Sequence, residues 1–475
     1  MEYEVTIGLE VHCEVKTNTK MFSNSLNRYD ATANENINEI DLAFPGIMPI
    51  ANYEGVKKAI KMAMALNCKI PEKMYFDRKN YYYPDLPKGF QITQMHDPVG
   101  RDGYIDVYVN DEVKRIKILD IHLEEDTASL DHYTVFSLID YNRAGIPLLE
   151  TVTYPCIHSA DEALAFLEAL RKIFIYCDVS EARTDRGQMR CDVNISLAPK
   201  GSDKLGTKVE MKNINSFSNV REAILYEIKR QTEVLNSGGV IQQETRRYDD
   251  VDMKTYRMRE KVDGVDYKYY IEPNIPPYKI TEALKEEIKS TIPKLQFERT
   301  QEYINEYDIS KYDAVVLVKD KEIADFFEET IKLGANPKSA CNWLTTNVVG
   351  YINKLEVSLN DIKLTPTKLV ELIKLVESGK ISSKQSKDVF VKMIEEDKNP
   401  EDIVKELGIR QIDNDEEIRT MVVEILDANL NLIEEYRKGR NVFDFFVGQV
   451  MKRTRGQANP TMTANIIREE IEKRW

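Results

Sequence analysis

No apolar run in this 475-residue chain approaches the length of about 18 residues that a membrane-spanning helix needs, so neither a membrane span nor a membrane partner is expected. Cysteine is scarce. The six present (Cys13, Cys68, Cys156, Cys177, Cys191 and Cys341) show no C-x-x-C spacing, which argues against zinc and against a disulfide framework. Phosphate-loop, nucleophile-elbow and glycine-rich dinucleotide motifs are all missing, so any nucleotide must be held through metal ions and side chains. No cysteine or serine sits in a local motif that suggests an activated nucleophile. The N-terminal stretch has neither a basic region followed by an apolar run nor an Arg/Ser-rich transit segment, and a cytoplasmic location is the expectation.

What is present is a long, acidic chain with 42% hydrophobic residues and a net charge of -14, too long for one ordinary core. The acidity is an average. From Arg440 to Trp475 seven Lys or Arg stand against four acids, a local balance of +3 that leaves room for an RNA partner. Up to about Pro277, short alternating segments mix with a few helices; beyond it nearly everything carries helical periodicity. Ser159-Ala160-Asp161-Glu162 is a capping box ahead of Leu164, Leu167, Leu170 and Phe174. A second helix is predicted from about Ser218 to Asn236, stopped by Gly238-Gly239, and a third from Thr365-Pro366 to Gly379. The expected fold is α+β: a mostly antiparallel-sheet cradle with helices over 1–292, a helical domain over 293–407 and a small helical tail over 408–475.

Several strands have two contrasting faces. Between Glu4 and Lys16, Val5, Ile7, Leu9, Val11, Cys13 and Val15 share one parity, while Glu10 and His12 project together from the other. Such a polar row fits either a solvated sheet face or an ion site, because a carboxylate and an imidazole two residues apart lie about 7 Å apart along a strand. Met189 to Leu197 repeats the design with Arg190, Asp192 and Asn194, and Thr207 to Asn213 with Lys208, Glu210 and Lys212. In Ile118 to Asp126, Leu119, Ile121, Leu123 and Glu125 fall on one row. Either Glu125 turns toward the core, or a bulge at Glu124-Glu125 redirects it, or the strand ends there in an acidic turn.

Asp140-Tyr141-Asn142-Arg143-Ala144-Gly145-Ile146-Pro147-Leu148-Leu149-Glu150 resembles the signature of the B subunit of tRNA-dependent amidotransferases, the GatB family. Matching stretches run in family order through Ile7 to His12, Tyr83 to Gly89, His122 to Asp126, Met189 to Asp192, Glu210 to Asn213, Gln243 to Arg247 and Gly448 to Lys452.

The resemblance implies an ATP-dependent carbon–nitrogen ligase. Its substrate would be Glu-tRNA(Gln), Asp-tRNA(Asn) or both. ATP phosphorylates the side-chain carboxylate, and ammonia released from glutamine by a partner amidase displaces the phosphate, with a small third protein completing a heterotrimer. Glu10, His12, Glu125 and Glu150 match the family's metal positions. Magnesium is expected there and manganese is an acceptable substitute. Glu124, Asp192 and Glu210 are candidates for catalysis, for supporting the ligands or for a second ion; Lys79, Lys88 and Arg190 are candidates for nucleotide phosphates. Lys452, Arg453 and Arg455 match the helical tail that reaches tRNA.

The sequence also departs from the family. Where many members carry zinc-binding cysteine pairs, this chain has Met21-Phe22-Ser23-Asn24-Ser25 and Ala43-Phe44-Pro45-Gly46, so no zinc is expected. The usual Tyr-Arg-Tyr-Phe-Pro-Glu-Pro-Asp reads Tyr267-Lys268-Tyr269-Tyr270-Ile271-Glu272-Pro273-Asn274, and lysine does not reproduce a bidentate arginine contact. That change motivates the alternative of a paralogue that binds tRNA or the partner proteins without transamidation.

Overall fold

Alternation builds the first strand. In β1 (Tyr3–Glu14), Ile7, Leu9, Val11 and Cys13 are fully buried, whereas Glu10 and His12 are partly open. The computed structural model describes residues 2–474 apart from 29–30, 215, 261–265, 410–413, 438–439, 441 and 455–456. It places β1 inside an eight-stranded sheet with β2 (Gly100–Val109), β3 (Glu112–Glu125), β4 (Pro147–Thr153), β5 (Met189–Pro199), β6 (Val209–Ile214), β7 (Glu244–Asp249) and β8 (Lys254–Glu260). The strand order is β8-β7-β6-β5-β1-β4-β3-β2, antiparallel at every step except β6–β7.

Helices α1 (Tyr53–Ala65), α2 (Ala160–Tyr176) and α3 (Phe217–Asn236) lay apolar stripes on the apolar parity of the sheet. Ile60, Phe166, Leu170, Phe174, Val220 and Ile224 join the strand residues in one core. Ser159 caps α2 by accepting from the Glu162 amide, and Glu162 in turn accepts from the amide of His158. Ser216 caps α3, which supplies the crossover that the parallel β6–β7 pair requires.

A bulge in β3 decides the orientation of its second half. Pairing with β4 slips between Ile118 and Asp120, so Leu119 is 40% exposed while Ile118, Ile121 and Leu123 are buried. The irregularity lies upstream of the acidic pair, and Glu125 does follow Leu123 inward. Beside the large sheet, Tyr270–Ile271, Asp77–Asn80 and Phe90–Thr93 form a small one in that order, and Ser129–His132 pairs with Ser137–Asp140.

The chain separates into Met1–Phe297 and Glu298–Trp475. The second unit is built from helices around two apolar clusters, one including Tyr303, Phe327, Leu344 and Phe390, the other Ile418, Val422, Phe446 and Ile467. Within it, Thr365 caps the helix Pro366–Glu377, and Gly379 follows at φ +75, a value that favours glycine. Among the described residues no helix is long and apolar enough to cross a membrane.

Candidate active site

Strand register gathers the polar parity of five neighbouring strands. His12 on β1 is paired with Glu150 on β4, and Glu150 with His122 on β3. On the other side of β1, Glu10 is paired with Asp192 on β5, and Asn194 with Glu210 on β6. Because helices cover the opposite parity, this row lines an open cleft of about 730 Å³ whose walls include His12, Lys79, Tyr81, Glu124, Glu150, Arg190, Asp192 and Lys212.

Two acidic groups stand on this face of the sheet. His12 Nε2 lies 3.5 Å from Glu124 Oε1 and 3.5 Å from Glu150 Oε2. His122 Nε2 is 3.0 Å from the same Glu150 oxygen, and its Nδ1 is 2.9 Å from Asp120. In the second group, Glu10, Asp192 and Glu210 each bring an oxygen within 4.8 Å of the others. Lys212 Nζ reaches Asp192 at 2.6 Å and Glu210 at 3.4 Å, Asn194 donates to Glu10 at 2.8 Å, and Thr245 donates to Glu210 at 2.9 Å.

The two groups differ in charge. Burial and the neighbouring Glu150 push the Glu124 carboxyl up, while Glu150 resists its own burial because His12 and His122 hold it below the usual carboxylate range. Burial works against the charged form of His122, but Glu150 and Asp120 raise it well above an ordinary histidine. Glu10 is pushed up by burial and by Glu150. In the second group burial likewise opposes the charge on Lys212, and Asp192 more than restores it. Lys212 therefore serves as a cation built into that group.

In the first group the cation is His122, which is held by Glu150 at 3.0 Å; among the described residues no lysine or arginine is bonded to Glu124. Glu124 is 3% exposed, and the His12 imidazole lies 3.5 Å from it. Two carboxylates and an imidazole in this state suit a divalent ion, with the oxygens favouring magnesium and the nitrogen making manganese acceptable.

The expected residues divide accordingly. Glu10, His12, Glu124, Glu150, Asp192 and Glu210 come together on one face, and Lys79 and Arg190 line the same cleft. Glu125 is not with them. Its side chain points to the other side of β3, where it accepts from Lys88 Nζ at 2.6 Å and from the Ile92 amide at 2.9 Å. Lys88 goes with it, away from the open face and into a separate cavity of about 220 Å³. Arg190 donates to Asp126 at 2.9 Å. In the second unit Lys452 is exposed and Arg453 meets Glu424; Arg455 lies outside the described residues. Sequence reasoning missed His122 and Asp120, which hold Glu150, and the neutralising role of Lys212. All three share the parity of a residue that was singled out, which was the available signal.

The chain matches the GatB/GatE catalytic domain over residues 5–286 and the GatB domain over residues 325–471. It is similar to the aspartyl/glutamyl-tRNA(Asn/Gln) amidotransferase B subunit of Geobacillus kaustophilus, 49% identical with 100% of both chains covered. The proteins of the same description from Macrococcus caseolyticus and Staphylococcus aureus are each 47% identical, again over 100% of both chains.

Proposed function

Since the chain belongs to the GatB family, we propose that it carries the site at which the side-chain carboxylate of a misacylated tRNA is phosphorylated by ATP and then amidated. The substrates are Glu-tRNA(Gln), Asp-tRNA(Asn) or both. The observation that carries this reading is the Glu124–Glu150 pair with His12, lining an open cleft of about 730 Å³. Ammonia comes from a partner amidase, with a small third protein in the assembly. This agrees with the absence of any nucleophile motif here.

The chemistry joins two anions. A carboxylate oxygen bonds to the γ-phosphorus of ATP as the bond to the β-phosphate oxygen breaks, giving an acyl phosphate and ADP with no proton exchanged. Ammonia then attacks the acyl carbon as the bond to the phosphate oxygen breaks, and the proton that nitrogen loses leaves on the phosphate as hydrogen phosphate. His12, Glu124 and Glu150 would hold magnesium or manganese, which would supply positive charge against the phosphate oxygens when bound. His122, braced by Asp120, keeps Glu150 ionised and oriented. Lys212 offsets Asp192 and Glu210 so that the second group does not repel the incoming phosphates. Arg190, held by Asp126, faces the same space.

In the second unit the separate apolar clusters support a tail domain beginning near Gly408, and Lys452, Arg453 and Arg455 would meet tRNA phosphates. Reconstitution with the amidase and the small third protein, a misacylated tRNA, ATP and glutamine should yield amidated aminoacyl-tRNA together with ADP and phosphate. Intact tRNA binding without product would instead favour a binding paralogue. Product formed from the free amino acid without tRNA would point to a different ligase.

A further inference from the structure

The cations around the cleft are not equivalent. Lys212 is bonded to Asp192, Arg190 to Asp126, and Lys88, beyond the open face, to Glu125. Lys79 differs. Its Nζ lies 5.1 Å from the ring centroid of Tyr267 and 5.7 Å from that of Tyr81, and among the described residues no ion pair involves it. The two rings meet edge-on, 5.9 Å apart at 68°, with Tyr269 6.0 Å beyond Tyr267. A ring face stabilises an ammonium through its quadrupole without accepting its N–H groups in ordinary hydrogen bonds, so the charge stays available for a ligand.

The backbone fixes this arrangement. Lys79 sits on the strand Asp77–Asn80, and the segment carrying Tyr267 is zipped against that strand. The Asn80 amide donates to the Tyr267 carbonyl at 3.0 Å, and the Asn80 side chain to the Lys268 carbonyl at 2.8 Å. Tyr270 and Ile271 then pair with Arg78 and Asp77. The altered loop thus keeps a ring on Lys79 even though Lys268 and Asn274 replace the family's arginine and aspartate. Lys79 also acts electrostatically on both Glu124 and Glu150, which puts it on the metal side of the cleft.

We propose that Lys79 is the cation that meets the γ-phosphoryl oxygens during transfer to the carboxylate, and that Tyr81 and Tyr267 are positioning residues that hold it. This rests on the activity proposed above. In the transferring group, negative charge spreads over three oxygens while the attacking carboxylate brings one more. An ammonium that is not neutralised by its own protein offsets both.

The test uses the complete assembly with three variants. Lys79→Met should lower tRNA-dependent ADP formation about 100-fold or more, the loss typical of removing one preorganised charge donor. It should weaken ATP binding, yet Mn²⁺ alone, followed by electron paramagnetic resonance, should bind as tightly or a few-fold more tightly, because a repelling charge has gone. General damage to the sheet would weaken both ligands and would overturn the proposal. Tyr267→Phe, which keeps the ring, should stay within about twofold of wild type, and Tyr267→Leu should lower kcat roughly five- to tenfold with KM for tRNA unchanged. Unchanged turnover in Lys79→Met, or equal behaviour of the Phe and Leu variants, would also overturn it. A wild-type assembly that forms no ADP would sink the activity reading itself, whereas failure of the Lys79 arm alone leaves that reading standing.

Discussion

Glu124 and Glu125 are adjacent in sequence but point to opposite faces of β3, so neutralising each should change a different property. Glu125 is 2% exposed and accepts from Lys88 Nζ at 2.6 Å and from the Ile92 amide at 2.9 Å. Glutamine would keep the shape and one acceptor, but would leave the Lys88 ammonium without a counter-charge in a pocket where its side chain is only 14% exposed. Breaking one half of a buried pair costs about 3–5 kcal/mol. Because the amide oxygen still serves one donor and Lys88 keeps a little access to water, about 2–3 kcal/mol is expected for Glu125→Gln. At about 2–4 °C per kcal/mol for a domain of this size, Tm should fall by roughly 4–12 °C. Glu124→Gln removes one member of a mutually repelling buried pair, so the metal-free protein should be no less stable than wild type. It also removes an ion ligand, and affinity for Mn²⁺ should drop by about 100-fold, while Glu125→Gln stays within a few-fold of wild type. Thermal unfolding and Mn²⁺ titration on the two variants read both quantities. The opposite pattern, with metal lost in Glu125→Gln at unchanged Tm and retained in Glu124→Gln, would refute the assignment.

The segment where family members carry zinc-binding cysteines is held instead by Asp41, which accepts from Ser23 at 2.7 Å and Ser25 at 2.6 Å and faces the fully buried Lys20 at 3.4 Å. Asp41→Ala should destabilise the first unit by about 3–5 kcal/mol, seen as a lower Tm and faster limited proteolysis there; an unchanged Tm would contradict the role. Burial and the neighbouring Asp126, opposed by Arg190, push the Glu14 carboxyl up to about 8. A raised folded value means that the stability from this group is complete below its ordinary value near 4.5 and lost as pH rises to about 8. Glu14→Gln should therefore flatten the fall in urea stability across that window by about 1.4 kcal/mol per pH unit, and an unaltered slope would count against it.

Much of the fold was legible because local chemistry and tertiary packing agree. Ser159 and Thr365 cap the helices their motifs announced, and α3 ends at Asn236 as the glycine pair suggested, with its start displaced only to Phe217. The alternation in β1 and β5 translates directly into buried and open rows. Sheet order was not legible. It depends on which strands pair, and the central placement of β1 between β4 and β5 joins residues about 140 and 180 positions away, a separation that no local pattern encodes.

The site was legible up to the same limit. Parity within a strand says that Glu10 and His12 share a face; only pairing says that Glu150 and His122 stand beside them. The acidic pair of β3 shows why. Ile121 and Leu123 put Glu125 in the apolar row, and of the readings open there, inward, bulged at Glu124-Glu125 or ending in an acidic turn, the inward one holds; the family match had assigned Glu125 to the metal, whereas Glu124 is the one that stands with His12 and Glu150. The bulge lies at Leu119, where Ile118 pairs with Thr153 and Asp120 with Val152, and this single slipped residue turns Asp120, His122 and Glu124 together toward the cleft. The cations obey the same limit. Lys79, Lys88 and Arg190 were indistinguishable as basic residues in or near family motifs, yet two are neutralised by Glu125 and Asp126 and one rests on tyrosine rings. A charge gains a use only when its neighbours leave it available, and those neighbours come from segments as distant as Asp77–Asn80 and Tyr270–Ile271. Which carboxylate and which cation are available for the proposed reaction is thus a property of strand pairing, which is why substitutions at Glu124 and Lys79, rather than at their equally acidic or basic neighbours, should be the ones that stop phosphoryl transfer.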